Sequence, residues 1–400
     1  MVSFELTPQQ DAIRRGVSAF AKTHLANARS IYEPETPHAK WEDRFRSTKP
    51  IYEAAVQAGL IKAQVPVQLG GTGGDLIDAA IVVEEMYTHE TSASLSILAT
   101  GLGLTPLVMA GTPELHEKFF KPFLSGTGAP LASLVFSEPQ GSANFAESGG
   151  PGFRWDDRGA DLQTVVCRIE GSGTDVRSEV AIIIVTRDDI AANEPGAYQV
   201  VTHPKTVGHT AVNGPHTRYT NLRVPKSNLL APPGKGADVV ELTFTASAAL
   251  VGAMGVGIMR QTFDKTLAWA KTEKRGGTEI LLHKQSVADL LIKIKTRCEA
   301  SRALTWKAAC AFGKTPFGSE LCYEAKIFGS ESAVESVTDA INLVGVSSYL
   351  QSHAFGNLLQ DAIVLPIFDG GNIGVRRRQI EKIFDSPEYD PWETSYGKGA

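Results

Sequence analysis

Three long stretches of apolar periodicity near the C-terminus constrain the fold of this chain more than any other feature. At 237–271, 284–312 and 318–345, apolar residues recur every three or four positions, which places them along one face of an α-helix. Short connections between consecutive long helices favour antiparallel packing. The sequence therefore predicts an antiparallel helical bundle, followed by two shorter helices at 351–364 and 374–384.

The first third of the chain also has helical patterns. Thr7, Pro8 and Gln10 form the start signal of a helix at 7–27, because they supply an N-cap, a proline at the first helical position and a glutamine at the third. Further helices are predicted at 50–58, 75–90, 91–109 and 113–122. This part is therefore expected to be entirely helical.

The middle of the chain changes to short β-branched runs bounded by Gly, Pro, Asn and Asp, which are typical of strands. Such runs lie at 164–167, 180–185, 198–201 and 218–224. They predict a small antiparallel β unit. The predicted fold class is α+β and mostly α, with an N-terminal helical domain at 1–130, a middle β domain at 131–234 and a C-terminal helical bundle domain at 235–400.

Composition and charge exclude several classes of function. The 42% hydrophobic and 21% charged residues are those of an ordinary globular protein. A formal net charge of -5 gives no basic footprint for nucleic acid. The chain has no run of about 18 apolar residues and no apolar segment at its start, so we expect neither a membrane span nor secretion. The predicted location is the cytoplasm.

The cysteines form no recognisable metal site or disulfide framework, since they show neither a Cys-x-x-Cys pair nor a matching His spacing. They are Cys167, Cys298, Cys310 and Cys322. Free cysteine packs like a small apolar residue, so buried free thiols in a reducing compartment are expected. A reactive thiol is the alternative, and no metal is predicted.

Three glycines at 252, 255 and 257 look loosely like a dinucleotide-binding fingerprint. That motif needs a preceding strand and a surrounding βαβ unit, whereas these glycines lie inside the predicted helix 237–271. We therefore expect them to permit close packing between helices.

The segment at 366–379, PIFDGGNIGVRRRQ, carries one carboxylate in a Gly-Gly turn between two predicted helices. Asn372 is expected to cap the second helix, and Arg376 lies about one turn into it, where it could fold back onto Asp369. Arg377 and Arg378 would then point elsewhere. The alternative interpretation is an ordinary turn aspartate before a solvated basic helix end.

Several segments in chain order resemble the acyl-CoA dehydrogenase superfamily. They are 131–142 (LASLVFSEPQGS), 221–230 (NLRVPKSNLL), 275–277, Gln285 and 343–345. The resemblance covers nearly the whole chain and implies an N-terminal helical domain, a small β domain and a C-terminal four-helix-bundle domain. It also implies FAD as cofactor and a homo-oligomer, expected to be a homotetramer, that binds FAD partly across a subunit interface. The residues implied in FAD binding are Leu134, Ser137, Gly141, Ser142, Arg275, Gln285, Gly345, Gly371 and Asn372.

Within that superfamily the chain is similar to the nitroalkane oxidases, with which it shares the runs at 59–66, 247–254, 285–289 and 368–374. Acyl-CoA dehydrogenases carry a glutamate at the position of Asp369, and nitroalkane oxidases carry an aspartate. The resemblance implies that Asp369 removes a proton from the carbon bearing the nitro group, that Arg376 orients the carboxylate, and that Ser247 hydrogen-bonds to it. The implied reaction converts a neutral nitroalkane and oxygen to an aldehyde or ketone, nitrite and hydrogen peroxide.

The chain departs from the family pattern near Phe153, where the family has an additional stretch about two strands long between the segments 149–152 (GGPG) and 159–162 (GADL). In the family this stretch contributes to the β-domain core and to flavin contacts. Two alternatives therefore stand beside the nitroalkane oxidase interpretation. One is an acyl-CoA dehydrogenase or oxidase, and the other is a cofactor-deficient, non-catalytic homologue with a shortened β domain.

Overall fold

The computed structural model describes residues 4–137 and 159–397 of the chain. The first part is helical, as predicted, and its seven helices are α1 Pro8–His24, α2 Ala28–Tyr32, α3 Asp43–Ser47, α4 Lys49–Gln57, α5 Leu76–His89, α6 Ser92–Ala110 and α7 Pro113–Leu124. Helix α1 begins with the predicted capping box: the Gln10 amide donates to the Thr7 hydroxyl at 3.2 Å, and the Thr7 amide donates to the Gln10 side chain at 3.0 Å.

In its described residues, 131–137 and 159–234, the middle part has six strands and one short α-helix: β1 Ala132–Val135, β2 Leu162–Arg168, β3 Val180–Thr186, α8 Arg187–Ala191, β4 Tyr198–Thr202, β5 His216–Tyr219 and β6 Leu229–Ala231. One sheet has the order β1-β2-β3-β6, and β4 pairs with β5 in a separate two-stranded sheet. The strand predicted at 218–224 is displaced, because the observed strand ends at Tyr219.

The prediction of a purely antiparallel unit is wrong for one pair of strands. β1 and β2 are parallel, with Ala132 opposite Leu162, whereas β2–β3, β3–β6 and β4–β5 are antiparallel. Parallel neighbours require a long crossover connection, and the connection from 136 to 161 is long enough to provide one.

The last part is the predicted helical bundle. Its helices are α9 Gly236–Ala270, α10 Gln285–Ala311, α11 Gly318–Val344, α12 Phe355–Ala362, α13 Arg377–Phe384 and α14 Glu393–Tyr396, with a π-helical turn at Asn372–Arg376. Helices α9, α10 and α11 pack together along their lengths, and α5 packs against α9, which joins the first and last parts. α6 and α9 are long and apolar enough to cross a membrane, but 56% and 78% of their most apolar stretches are buried inside the fold, as in core helices.

The three glycines of α9 lie at helix crossings, which confirms the packing interpretation. A Cβ atom on Gly255 would come within 2.4 Å of the Gly329 carbonyl oxygen on α11, and one on Gly257 would meet Tyr87 on α5 at 2.5 Å. A Cβ atom on Gly252 would lie 2.7 Å from the Thr305 hydroxyl on α10 and 3.0 Å from the Ala325 carbonyl oxygen on α11. Only residues without a side chain let these backbones approach so closely.

All four cysteines are free thiols. Cys298 and Cys322 are buried and Cys167 is half-buried, and burial raises the pKa of each thiol. The expectation of burial is wrong for Cys310, which lies near the end of α10 on its exposed face, although the adjacent Ala308 and Ala309 are buried.

Candidate active site

The loop between α12 and the π-helical turn holds Asp369 in an unusual backbone conformation. Asp369 has a φ of +54° and Gly370 a φ of +72°, so two consecutive residues are left-handed. The Asn372 amide donates to the Pro366 carbonyl at 2.9 Å and closes the loop. Aspartate adopts this region more often than most residues with a side chain, and non-glycine residues held in it cluster at functional sites.

The loop presents the Asp369 carboxylate to α9 and to the π-helical turn. The Ser247 hydroxyl on α9 donates to Oδ1 of Asp369 at 2.6 Å. Nη2 of Arg376 lies 3.3 Å from Oδ2 and also donates to the Asp369 carbonyl oxygen. The structure therefore brings together the three residues predicted as catalytic, although Ser247 and Asp369 are far apart in the sequence.

Arg376 is held by several partners besides the carboxylate. Its guanidinium donates to the Phe244 carbonyl at 3.0 Å and to the Gln379 side chain at 3.0 Å, and it lies 5.2 Å from the centre of the Tyr323 ring. Its side chain is 1% exposed, and that of Asp369 is 7% exposed. The ion pair is therefore almost dry and has one fixed geometry.

Burial raises the pKa of Asp369 above its ordinary value, while Arg376, the hydrogen bond from Ser247 and the Lys326 ammonium act in the opposite direction. Desolvation makes the carboxylate a stronger base, and the cations keep it ionised. Such a group can accept a proton from a weakly acidic carbon near neutral pH.

The prediction that Asn372 caps the second helix is wrong. Gly371 occupies the cap position, and the π-helical turn begins one residue earlier than a cap at Asn372 would allow. The Asn372 side chain instead accepts from Lys326 Nζ at 3.0 Å and donates to Ser330 at 3.0 Å. Asn372 thus ties the turn to α11.

The other two arginines of this segment point away from the carboxylate, as predicted. Arg377 is exposed and pairs with Glu331 on α11 at 2.8 Å, and Arg378 is exposed. Helical geometry therefore selects Arg376 alone as the partner of Asp369.

The end of β1 lies beside this site. Leu134 is buried in the strand, Ser137 is exposed just beyond it, and the Phe136 ring lies 5.1 Å from the Phe244 ring. Phe244 supplies the carbonyl that holds Arg376, so β1 and the carboxylate loop meet at the same turn of α9. The predicted residues Gly141 and Ser142, and the shortened segment near Phe153, lie outside the described residues.

Three other predicted cofactor residues lie at the far end of the bundle. The Arg275 guanidinium donates to the Val344 carbonyl and lies beside Gly345, 3.5 Å from the position that a Cβ atom on this glycine would occupy. The Gln285 side chain donates to the Asp289 carboxylate at 2.8 Å on the surface. Arg275 follows the C-terminal end of α9, and at about 1.5 Å per residue the helix runs roughly 35 Å from Ser247 to that end. One chain therefore does not bring these residues to Asp369.

A cavity of about 580 Å³ lies in a different place, between α1, α5, α9 and α10. Its charged residues neutralise one another: Arg260 pairs with Glu84 at 2.9 Å and with Glu85 at 3.0 Å, and Arg302 pairs with Glu84 at 3.0 Å. This network joins helices, and it contains none of the residues that hold Asp369.

Sequence reasoning missed three residues that support the site. Phe244 offers a backbone carbonyl, Tyr323 places its ring against the guanidinium, and Lys326 reaches the loop from α11. A carbonyl has no sequence signal. Lys326 had one, because it interrupts the apolar face of α11.

Two family profiles match most of the chain. The N-terminal domain of acyl-CoA dehydrogenase matches residues 7–127, and the C-terminal domain of acyl-CoA dehydrogenase matches residues 234–384. The chain is 47% identical to a nitroalkane oxidase of Podospora anserina, and the match covers 99% of both proteins. It is 42% identical to a nitroalkane oxidase of Fusarium oxysporum, and that match covers 99% of this chain and 98% of the relative. The two alignments run over 428 and 433 positions, more than the 400 residues of this chain.

A solved structure of the flavoprotein nitroalkane oxidase is 41% identical, with a TM-score of 0.95, and the match covers 99% of this chain and all of that one. That structure was determined to examine the roles of an aspartate and an arginine in the reaction of the flavoprotein. The two residues are seven positions apart in its sequence, which is also the spacing of Asp369 and Arg376.

Proposed function

The chain belongs to the acyl-CoA dehydrogenase family, and from this premise we propose that it is an FAD-dependent oxidase of neutral nitroalkanes. The reaction converts a primary nitroalkane, oxygen and water to an aldehyde, nitrite and hydrogen peroxide, and a secondary nitroalkane gives a ketone. FAD, when bound, supplies the two-electron acceptor that oxygen regenerates. The dry Asp369 carboxylate, fixed by Ser247 and Arg376, is the observation that carries the proposal.

The chemistry required of the protein is removal of a proton from a carbon next to a nitro group. A carboxylate in water is a weak base, but the burial that raises the pKa of Asp369 makes it stronger. Arg376 keeps the carboxylate ionised before the substrate arrives. Its hydrogen bonds to Phe244 and Gln379 hold the guanidinium in a fixed position. We propose Asp369 as the base, Arg376 as the group that orients it, and Ser247 as the hydrogen-bond donor that fixes its rotation.

The residues beside Asp369 suit the ring system of FAD. Leu134, Phe136 and Phe244 provide an apolar surface, and the exposed Ser137 provides a hydroxyl at its edge. A flavin ring is flat and largely apolar with a polar rim, so this combination of side chains fits it. We propose that Leu134 and Ser137 contact the ring and that Gly371 and Asn372 border it from the carboxylate loop.

The distance between the two groups of predicted cofactor residues supports an oligomer. Arg275, Gln285 and Gly345 lie roughly 35 Å along the bundle from the Asp369 site, further than one extended FAD reaches. Around them Val346 and Tyr349 are 75% and 89% exposed, which is unusual for large apolar side chains. We propose that this end of the bundle contacts the FAD of a partner subunit in a homotetramer.

The two alternatives make different predictions. An acyl-CoA dehydrogenase or oxidase would use a longer acid, whereas this loop carries aspartate. A cofactor-deficient homologue is favoured by one observation, because the nitroalkane oxidase alignments contain more positions than this chain has residues. The FAD content of the protein distinguishes that homologue from an enzyme.

The test uses the purified protein. We expect a yellow protein with about one FAD per chain that releases nitrite and hydrogen peroxide from nitroethane in equal amounts. An anaerobic sample should be bleached by nitroethane and not by a saturated acyl-CoA. Bleaching by the acyl-CoA alone would favour the acyl-CoA alternative, and a colourless protein that cannot be reconstituted with FAD would exclude the proposal.

A further inference from the structure

Lys326 is a buried lysine that donates one hydrogen bond to each end of the carboxylate loop. It lies in the first third of α11 with 0% exposure. Its ammonium donates to the Leu365 carbonyl at 3.2 Å, just before the loop, and to the Asn372 side chain at 3.0 Å, just after it. One side chain therefore joins both ends of the six-residue segment 366–371 that contains Asp369.

The contact through Asn372 is itself fixed by α11. The Asn372 amide group donates to the Ser330 hydroxyl at 3.0 Å and to the Glu331 carboxylate at 3.2 Å. In the described part of the chain, every hydrogen-bond partner of the Asn372 side chain lies on α11. Because Asp369 and Gly370 are both left-handed, the loop requires surrounding contacts that keep it in this conformation.

The charge of Lys326 is not cancelled where it lies. Within the described residues, the hydrogen-bond partners of the ammonium are two uncharged oxygens and include no carboxylate. A buried cation in this situation acts over a longer range than an exposed one, because little solvent screens it. The charged groups that act on Lys326 are Asp369 and Arg376 from the loop and the π-helical turn, and Glu331 from α11.

Burial lowers the pKa of Lys326 to about 8, with Arg376 acting in the same direction and with Asp369 and Glu331 opposing it. The amine is therefore still largely protonated at neutral pH. Lys326 is also among the cations that hold the pKa of Asp369 down against burial. Lys326 and Asp369 therefore each influence the ionisation of the other.

We propose that Lys326 is a positioning residue for the base: its ammonium joins Leu365 to Asn372, which holds the Asp369 loop in place, and its charge keeps the carboxylate ionised. The proposal rests on the proposed function for its reaction. It does not place Lys326 in contact with the substrate or the cofactor.

Two variants separate the mechanical role from the electrostatic one. Lys326→Met keeps the length and packing of the side chain but removes the charge and both hydrogen bonds. Asn372→Ala removes one of those hydrogen bonds and leaves the charge. If Lys326→Met does not give folded protein, Lys326→Gln takes its place, because it is neutral but retains a donor.

The first measurement is the titration of the Asp369 carboxyl group by NMR in FAD-loaded protein labelled at the aspartate side-chain carbonyl carbon, with Asp369→Asn to assign the signal. In Lys326→Met we expect Asp369 to titrate at higher pH than in the wild type, and the shift should be larger than in Asn372→Ala, which keeps the Lys326 charge. An unchanged titration in Lys326→Met would overturn the electrostatic role. This measurement needs no turnover, so it judges Lys326 even if nitroalkanes prove not to be the substrate.

The second measurement compares neutral nitroethane with its preformed anion, ethyl nitronate, which has already lost the proton. For Lys326→Met we expect kcat/KM for nitroethane to fall at least about tenfold, since a misplaced or protonated base slows only the proton transfer. The kcat/KM for ethyl nitronate should change less than about threefold, because its oxidation needs no proton transfer to Asp369. An equal loss with both substrates at full FAD content would show a merely structural role and overturn the proposal. A wild-type enzyme inactive on both would contradict the proposed function instead.

Discussion

Asp369 combines two properties that normally oppose each other, because its carboxylate is buried and it must be charged to act as a base. Burial raises its pKa, and the structure surrounds it with one arginine, one serine hydroxyl and one buried lysine that favour the ionised form. The contact with Arg376 was predicted from helical spacing, since the two residues lie in one short segment. The Ser247 contact followed only from resemblance, because 122 positions separate it from Asp369.

The acid side of the pH profile tests this balance. In the wild type, kcat/KM for neutral nitroethane should fall as the pH decreases through the raised pKa of Asp369, because the protonated carboxyl cannot accept a proton. Ser247→Ala removes a hydrogen bond that favours the charged carboxylate, so kcat/KM should begin to fall at a higher pH than in the wild type. The plateau of kcat/KM above that pH should drop roughly tenfold, because the hydrogen bond that fixes the rotation of the carboxylate is lost. Steady-state kinetics with nitrite detection across pH measure both.

The matched control is Thr262→Val in the same helix. Thr262 is fully buried and its hydroxyl has no hydrogen-bond partner within the described part of the structure, so its loss should leave the profile unchanged. A Ser247→Ala profile that coincides with that of the control would contradict the role of Ser247.

At the level of elements, the long helices were predicted because their periodicity continues over many turns, and α9, α10 and α11 begin and end within two residues of the predictions. Two features were not predictable in this way. The parallel pairing of β1 and β2 depends on the path of the chain between them, which local patterns do not encode. The π-helical turn after Gly371 depends on contacts with α11, so the assignment of Asn372 as a cap failed.

The glycine crossing between α9 and α11 provides a test at this level. Gly255→Ala should destabilise the protein by about 1–3 kcal/mol, because a Cβ there would lie 2.4 Å from the backbone oxygen of Gly329 and the helices would have to separate. Thermal or denaturant unfolding measures the change.

Gly16→Ala in α1 is the matched control, because no atom lies within 4 Å of the added Cβ. It should stabilise the protein by about 0.5–1 kcal/mol through helix propensity alone. A Gly255→Ala variant as stable as this control would show that the helices can separate without loss and that the packing interpretation is wrong.

For the whole molecule, the order of helical, β and helical parts follows from changes of periodicity along the chain, and its match to solved nitroalkane oxidase structures confirms the fold class. The proposed cofactor residues do not assemble in the same way, because Arg275 and Gly345 lie near the C-terminal end of α9, roughly 35 Å along the helix from Ser247. Sequence patterns indicate candidate residues for such a site but not the number of chains that build it. That separation led us to propose a site shared between subunits.

Mixed oligomers test this arrangement. Arg275→Ala alone should weaken FAD binding about ten- to a hundredfold, because it removes a charge-assisted contact, whereas the exposed Arg378→Ala should not. Co-assembly of Arg275→Ala chains with Asp369→Asn chains should restore part of the activity, since an intact base can then meet an intact arginine across an interface. Mixed oligomers no more active than either parent would contradict the shared site.

Asp369 is proposed as the base that removes the substrate proton, and the Asp369→Asn variant tests this role directly. The substitution removes the charge and keeps the shape, so FAD should remain bound while kcat/KM for neutral nitroethane falls by about a hundredfold or more. Ethyl nitronate has already lost its proton and needs no base, so its oxidation should continue at a rate within about several-fold of the wild type. A variant that retains full turnover of neutral nitroethane, or loses both activities equally with FAD bound, would contradict the assignment.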